Sequence, residues 1–206
     1  MADRPIIFSA PMIRALLDGR KTQTRRIYRV PPGSYVEQGR IWAMTDGCPH
    51  GDAALPYAPG DRLWCKEVWG LGISDHGDCP RYKATLDYMC GDKIVSPHEG
   101  PFAWKSPRFM PKRFSRLTLL VTDVRVQRLQ DISEADAQAE GLVEVYEGWA
   151  TDRDGRHWGP TARASYRVLW NDLHGEDAWD RNPWVTALTF TVHRQNIDQI
   201  NQGDMK

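Results

Sequence analysis

The sequence lacks any apolar run of about 20 residues, which is the length that a membrane-spanning helix requires. Its first residues, Met-Ala-Asp-Arg-Pro, also lack the apolar stretch of a secretory signal peptide. The four cysteines include no CxxC pair. We therefore expect no membrane association, and we interpret the cysteines as reduced thiols of a cytoplasmic protein.

Common catalytic and metal-binding motifs are also missing. The chain has no P-loop, no GxGxxG dinucleotide fingerprint and no GxSxG nucleophile elbow. Cys48, His50, Cys79 and Cys90 carry thiolate and imidazole groups of the kind that bind zinc, but their spacing matches no standard zinc module. We therefore predict no metal site and no cofactor.

The chain has no excess of either charge, since its 27 basic and 27 acidic residues give a formal net charge of zero. Such a protein is not built to coat DNA over its whole surface. The basic residues are nevertheless clustered, first between Arg14 and Arg29 and again between Lys105 and Arg116. Basic patches on a neutral protein fit a small anionic or nucleic-acid ligand, although a solvent-exposed arginine face gives the same pattern.

The spacing of the apolar residues predicts a chain with more strands than helices. Strands are predicted at 5–8, 22–28, 62–69, 117–129 and 183–192, and helices at 11–17, 133–140 and 161–173. Two insertions, at about 31–58 and 71–101, have loop-like composition, and the polar tail 195–206 is predicted to be disordered. These short, irregularly linked strands favour an α+β, mainly β, class: a small mixed β-barrel with helices at its ends and two loop-rich insertions.

The segment from Gly19 to Arg26 carries the strongest chemical signal. It places Lys21 and Thr24 on a short strand directly after a helix that ends at Gly19. A threonine hydroxyl becomes a nucleophile when a base removes its proton, and lysine is such a base when burial or nearby cations lower its pKa. The alternative is a solvent-exposed lysine beside a threonine on the strand surface.

Two glutamates are candidate partners for this segment. Glu67 lies in a predicted strand, and Glu140 lies among alanines at the end of a predicted helix, directly before a glycine. A partly buried Glu140 would protonate a leaving amine or hold a substrate amino group. The alternative is a surface glutamate near a helix end.

Aromatic residues alternate with basic ones in parts of the chain. Trp104 precedes Lys105, and two phenylalanines lie among the basic residues around Arg113. Bases stack on aromatic rings while cations hold phosphates, so these residues and Trp69 are candidate contacts for a base or a phosphate. The alternative for each aromatic residue is a place in the core.

Three motifs together resemble the ASCH domain. They are Gly19-Arg-Lys-Thr-Gln-Thr-Arg-Arg26, the Pro-Gly-Asp-Arg-Leu-Trp run that ends Glu67-Val-Trp69, and the Leu129–Gly141 segment with its Ala-x-x-Glu-Gly pattern. The helix Tyr166-Arg-Val-Leu-Trp-Asn-Asp and the closing Asn182-Pro-Trp-Val strand are similar to larger ASCH proteins of phage and prophage genomes. The resemblance covers most of the chain outside the two insertions and the tail.

The resemblance implies a PUA-like β-barrel over residues 1–194 and one defined activity. Small bacterial ASCH proteins are amidohydrolases that remove the acetyl group from N4-acetylcytidine with a lysine, a threonine and a glutamate, and these positions match Lys21, Thr24 and Glu140. The expected substrate is thus an N4-acylated cytosine, as a nucleoside or within a nucleic acid, in the cytoplasm, or in the host cytoplasm for a phage protein.

Other ASCH proteins are RNA-binding proteins or ribonucleases, which leaves two alternatives. In a non-catalytic binder of RNA or modified nucleic acid, the cations grip phosphates while an aromatic ring stacks on a base. The candidate binding residues are Arg20, Arg25, Arg26, Glu67, Trp69, Trp104, Lys105 and Arg113. A ribonuclease that uses Lys21 and a nearby acid is the second alternative.

Overall fold

The computed structural model describes residues 2–37, 39–45, 48–52, 55–74, 77–85, 88–90, 93–95 and 103–200. The fold is mixed α+β with mostly strands and few helices, which confirms the predicted class. The strands are β1 (Asp3–Ile7), β2 (Gln23–Ile27), β3 (Ser34–Glu37), β4 (Arg40–Thr45), β5 (Cys48–Asp52), β6 (Arg62–Lys66), β7 (Trp69–Ser74), β8 (Gly77–Tyr82), β9 (Tyr88–Cys90), β10 (Lys93–Val95), β11 (Thr118–Arg128), β12 (Val143–Val145), β13 (Gly148–Ala150) and β14 (Trp184–His193). The helices are α1 (Ala10–Leu17), α2 (Glu134–Ala139) and α3 (Ala162–His174).

The largest sheet has the strand order β1-β6-β11-β14-β2. Strand β1 pairs in parallel with β6, whereas β11 pairs antiparallel with β6 and β14 antiparallel with β2. Smaller sheets have the orders β10-β9-β8-β7, β3-β4-β5 and β12-β13. Among the described strands, no pairing closes the largest sheet into a barrel.

The chain divides into two compact units that are both discontinuous in sequence. The first unit contains residues 19–61 and 121–191, and the second contains residues 2–18, 62–120 and 192 onward. In the first unit, α3 buries Tyr166, Leu169 and Trp170. In the second, Trp69 and Tyr82 belong to a buried apolar cluster that Leu71 and Phe114 extend.

The helices begin and end where their local sequence predicts. Ser133 Oγ accepts a hydrogen bond from the amide of Asp136 at 3.1 Å and thereby caps α2. Glu140 is the C-terminal cap residue of α2, and Gly141 follows it with φ +99°. Since a side chain is strained at this φ, the glycine allows a sharp turn directly after Glu140.

Two predictions from composition are wrong. The insertion at about 31–58 contains β3, β4 and β5, and the insertion at about 71–101 contains most of β7 together with β8, β9 and β10, so these segments are not loop-rich. Residues 195–200 of the predicted disordered tail are ordered, because Ile197 is buried and Asn196 Nδ2 donates to the carbonyl of Ser115 at 2.7 Å. Residues 201–206 lie outside the described residues.

No helix among the described residues is both long and apolar enough to span a bilayer.

Candidate active site

The backbone brings Lys21 and Glu140 together although they lie 119 positions apart in the chain. Lys21 precedes β2, Glu140 directly follows α2 as its C-terminal cap, and the two residues form an isolated antiparallel bridge. The amide of Thr22 donates to the carbonyl of Ala139 at 2.9 Å. These contacts join the start of β2 to the end of α2, so the positions of both side chains are set by the backbone.

The two side chains form a buried ion pair. Lys21 Nζ donates to Glu140 Oε2 and to the Glu140 carbonyl oxygen, both at 2.8 Å. Only 2% of the Lys21 side chain and 4% of the Glu140 side chain are exposed. The other carboxylate oxygen, Oε1, accepts from Arg25 Nη1 at 3.0 Å and from the Tyr166 hydroxyl at 3.4 Å. Both carboxylate oxygens of Glu140 therefore have donors, as a buried carboxylate requires.

Arg25 extends this pair to a second carboxylate. Its Nη2 donates to Asp136 Oδ2 at 3.0 Å, and Gln23 Nε2 donates to Asp136 Oδ1 at 2.9 Å. Burial alone would raise the pKa of Asp136, but the Gln23 hydrogen bond and the charges of Arg25 and Arg125 together lower it. The Arg25 side chain is fully buried. Its burial does not fit the predicted phosphate contact, and its geometry instead orients Glu140 and Asp136.

Thr24 lies on the same strand as Arg25 and is held by Arg26. Thr24 is buried, and its Oγ1 accepts a hydrogen bond from Arg26 Nη1 at 3.0 Å. A threonine oxygen that accepts this bond keeps its own proton for donation to a base. The positive charge of Arg26 also lowers the pKa of Lys21, so the guanidinium acts on both the hydroxyl and the amine.

The pKa of Lys21 lies below its ordinary value. Burial lowers it most, the charge and hydrogen bond of Glu140 oppose this effect, and the cations Arg26 and Arg25 lower it further. Burial and the negative charge of Glu140 raise the pKa of Tyr166, so this hydroxyl stays protonated and remains a donor. A lysine with a lowered pKa is a candidate proton acceptor near neutral pH, because less free energy is needed to form its neutral amine.

Comparison of the chain with protein-family models, with curated proteins and with solved structures finds no match. The similarity to ASCH proteins is therefore an interpretation of the sequence motifs alone.

Arg20 supports the turn after Glu140. Its Nη1 donates to the carbonyl oxygen of Gly141, and the side chain is only partly exposed. Arg20 thus contacts the residue that follows the candidate acid, although the sequence analysis predicts a phosphate contact for it.

Glu67 and Trp69, the predicted binding residues from the Glu-Val-Trp motif, are both buried in the second unit. Glu67 accepts two hydrogen bonds from Arg116, from Nε to Oε1 at 2.9 Å and from Nη2 to Oε2 at 3.0 Å. Trp69 is only 4% exposed and packs against Phe114, with the ring centroids 5.3 Å apart. Because its ring is enclosed by the core, Trp69 does not offer a surface on which a base can stack.

The remaining predicted binding residues also belong to the second unit. Lys105 and Arg113 are exposed, but each lies over an aromatic ring: Lys105 Nζ is 5.0 Å from the Trp69 centroid, and Arg113 Cζ is 4.7 Å from that of Phe114. Trp104 is half-buried. These cation–π contacts leave the positive charges accessible to solvent.

Two residues of the site were missed as functional candidates. Asp136 carries a signal for a helix cap, which explains its position but not its contact with Arg25. Tyr166 lies on the apolar face of α3, and a tyrosine at such a position is expected to be a core residue. The available signal was chemical, since a buried hydroxyl needs a hydrogen-bond partner.

No group of three or more His, Cys, Asp or Glu residues within the described part of the chain is arranged to hold a metal ion. The thiolate and imidazole groups named in the sequence analysis belong to Cys48, His50, Cys79 and Cys90. Their side chains lie outside the described part of the structure.

Proposed function

We propose that this chain is an amidohydrolase that removes the acyl group from N4-acetylcytidine-like (deoxy)nucleosides or from such nucleobases in a nucleic acid, on a PUA-like fold of the ASCH family. The observation that carries the proposal is the buried contact between Lys21 Nζ and Glu140 Oε2 at 2.8 Å, and Thr24, three residues further along the chain, is also buried. Amide hydrolysis needs a base for the nucleophile and an acid for the leaving amine, and this pair supplies both.

The acid and the base arise from one shared proton. Transfer of a proton from Lys21 Nζ to Glu140 Oε2 converts the ion pair into a neutral amine and a carboxylic acid. Burial disfavours both charged groups and so brings the neutral pair closer in energy to the ion pair. The lowered pKa of Lys21 has the same physical cause.

In the first step, the neutral Lys21 takes the hydroxyl proton of Thr24, and the Thr24 oxygen attacks the acyl carbonyl carbon. The tetrahedral oxyanion then collapses, and the bond between the carbonyl carbon and N4 breaks. Glu140 gives its proton to N4, so cytidine leaves with a free amino group. The products of this step are an acyl ester on Thr24, a protonated Lys21 and an ionised Glu140.

In the second step, water hydrolyses the ester. Glu140 removes a proton from water, the resulting hydroxide attacks the ester carbonyl, and Lys21 returns a proton to the Thr24 oxygen. The carboxylic acid leaves, and the neutral pair is restored. One amide and one water thus give one amine and one acid, with no other reactant. Direct attack by a water activated by Lys21 gives the same products without an ester on Thr24.

Arg26 is suited to stabilise the oxyanion. Its Nη1 lies 3.0 Å from Thr24 Oγ1, so the guanidinium is next to the atom that attacks the carbonyl. A donor beside the nucleophile is also close to the developing negative charge, and such donors contribute a large part of the rate in acyl transfer. Binding without catalysis is less well supported, because Arg25 and Trp69 are buried.

The test is a panel of N4-acylated cytosine nucleosides and oligonucleotides incubated with the protein and analysed by mass spectrometry. We expect loss of the acyl mass with intact strands, and no reaction with Lys21→Ala. Cleaved strands without deacylation would identify a ribonuclease instead. An unchanged panel would overturn the proposed function, whereas an acyl adduct on Thr24 would identify the hydroxyl rather than water as the nucleophile.

The pH dependence of activity tests the shared proton. The pair is active with one proton, so kcat/KM should fall at alkaline pH where that proton is lost, with a midpoint below the ordinary lysine pKa of 10.5. Replacement of Arg26 by glutamine removes a cation that lowers the pKa of Lys21, so the alkaline limb should move to higher pH even though the maximal rate falls. The exposed Arg29 offers the control, Arg29→Gln, in which the limb should not move. An unshifted limb in Arg26→Gln would contradict the assignment.

A further inference from the structure

The first unit contains an open cleft of about 420 Å³. Val36, Val126 and Trp184 supply apolar wall, and Arg125, Gln127 and Asp131 supply polar groups. Pockets for small ligands commonly range from about 300 to 1,000 Å³ and combine an apolar lining with a few polar groups. The cleft therefore has the size and composition of a site for a small polar molecule.

Its aromatic residue is held in place by a neighbouring cation. The guanidinium carbon of Arg128 lies 4.2 Å from the centroid of the Trp184 ring, and Arg128 Nη1 donates to the carbonyl of Asn182 at 3.2 Å. Nucleobases stack on tryptophan rings and on arginine planes, while the arginine charge attracts phosphate. Both features of a nucleotide thus have a partner at this edge of the cleft.

The polar wall supplies a donor and an acceptor for a base edge. Gln127 Nε2 is buried and has no hydrogen-bond partner within the described part of the chain. A small rotation of this amide would satisfy it with a carbonyl or a ring nitrogen of a ligand, because a buried donor without a partner is costly. Asp131 is exposed at the same wall, and its carboxylate accepts amino protons of the kind that nucleobases carry.

Arg125 connects this cleft to the candidate active site. Its Nη2 lies 3.5 Å from Asp136 Oδ1, Asp136 accepts from Arg25, and Arg25 donates to Glu140. The cleft-lining Arg125 is therefore joined to the Lys21–Glu140 pair by hydrogen bonds through Asp136 and Arg25.

We infer that the cleft binds a nucleotide next to the acylated cytosine, so that the substrate is a single-stranded nucleic acid rather than a free nucleoside. The base stacks against Trp184, and its phosphate contacts Arg125 and Arg128. The adjacency to an acylated cytosine rests on the proposed function. Binding of a nucleotide in the cleft does not.

Binding is tested with fluorescently labelled, unmodified single-stranded oligonucleotides, as RNA and as DNA, by anisotropy. Trp184→Ala should weaken binding about tenfold, because one stacked base contributes about this much, and Trp184→Phe should retain most of it. Arg125→Gln should weaken binding and reduce its salt dependence. The control is Trp158→Ala, which removes an exposed tryptophan of the same unit and should leave the Kd unchanged. Thermal melting identifies variants that fail to fold. If Trp184→Ala does not fold, Trp184→Phe and Arg125→Gln still test the inference.

The second readout is the ratio of kcat/KM for an acetylated oligonucleotide to that for N4-acetylcytidine. This ratio should be well above one and should fall about tenfold in Trp184→Ala. A ratio near one overturns the inference, even where the nucleoside is deacetylated. The same holds if Trp184→Ala binds oligonucleotides as tightly as the unaltered protein does. Oligonucleotide binding that Trp184→Ala weakens, without deacetylation of any substrate, supports the nucleotide cleft and overturns the proposed function.

Discussion

Replacement of Glu140 by glutamine is expected to abolish amide hydrolysis and to lower the free energy of unfolding by about 3–5 kcal/mol. Glutamine has nearly the same shape, but it cannot accept the proton of Lys21 or donate a carboxylic acid proton to N4. It also leaves Lys21 and Arg25 buried without the anion that both of them contact. Urea denaturation measures the stability, and acetate release from acetylated substrates measures the activity.

Two further variants separate the loss of stability that comes from breaking the ion pair from the loss that any substitution causes. Glu144→Gln changes an exposed glutamate of the same unit and should alter the stability by no more than about 0.5 kcal/mol. The double variant Lys21→Met with Glu140→Gln should be less destabilised than the sum of the single variants, because it leaves no unpaired charge on either partner. Full activity in Glu140→Gln would exclude Glu140 as the acid, and additive stabilities would show that the pair does not act as a unit.

Local sequence signals predicted the elements that present Lys21 and Glu140. The apolar spacing predicts α1, and the glycine after it predicts where β2 can start. Ser133 and Gly141 mark the two ends of α2. These signals act within a few residues and do not depend on the rest of the fold. The association of the two residues was expected from the ASCH-like motifs, and in the structure it is made by an antiparallel bridge between residues that are distant in sequence.

Burial of charged residues could not be predicted in this way. Arg25 and Arg26 belong to the same basic run, yet Arg25 is buried and Arg26 is only partly buried. Their difference depends on which side of β2 faces the end of α2, which is a tertiary property. The two insertions were misjudged for a related reason, since hairpins with glycine and proline have little apolar periodicity and form by pairing with each other.

The two units contain similar buried arginine–carboxylate pairs with different chemical capacity. In the first unit, Glu140 contacts Lys21 as well as Arg25, so a titratable amine shares its proton with the carboxylate. In the second, Arg116 holds Glu67 through two hydrogen bonds and also lies 4.0 Å from the Tyr82 ring centroid. An arginine does not lose its proton in proteins, so the Glu67 pair offers no base. We interpret it as a structural contact within the core of its unit.

Replacement of Arg116 by methionine should therefore destabilise the protein by about 3–5 kcal/mol, because it leaves Glu67 buried without its cation. Burial already raises the pKa of Glu67, and Arg116 opposes this effect, so the variant should raise the pKa further. A raised native pKa means that stability is retained below the unfolded value of about 4.5 and is lost as the pH rises through the native pKa. The loss measured by urea denaturation should thus be larger at pH 8 than at pH 5.

The matched control is Arg113→Met, since Arg113 is an exposed arginine of the same unit and should change the stability by no more than about 1 kcal/mol at either pH. Glu67→Gln combined with Arg116→Met should recover much of the stability and remove the pH dependence, because the double variant buries no unpaired charge. If Arg116→Met were as stable as the control, or if its loss were the same at both pH values, Glu67 would not depend on Arg116 for its charge. The pair would then have to be reconsidered as a ligand site rather than a structural contact.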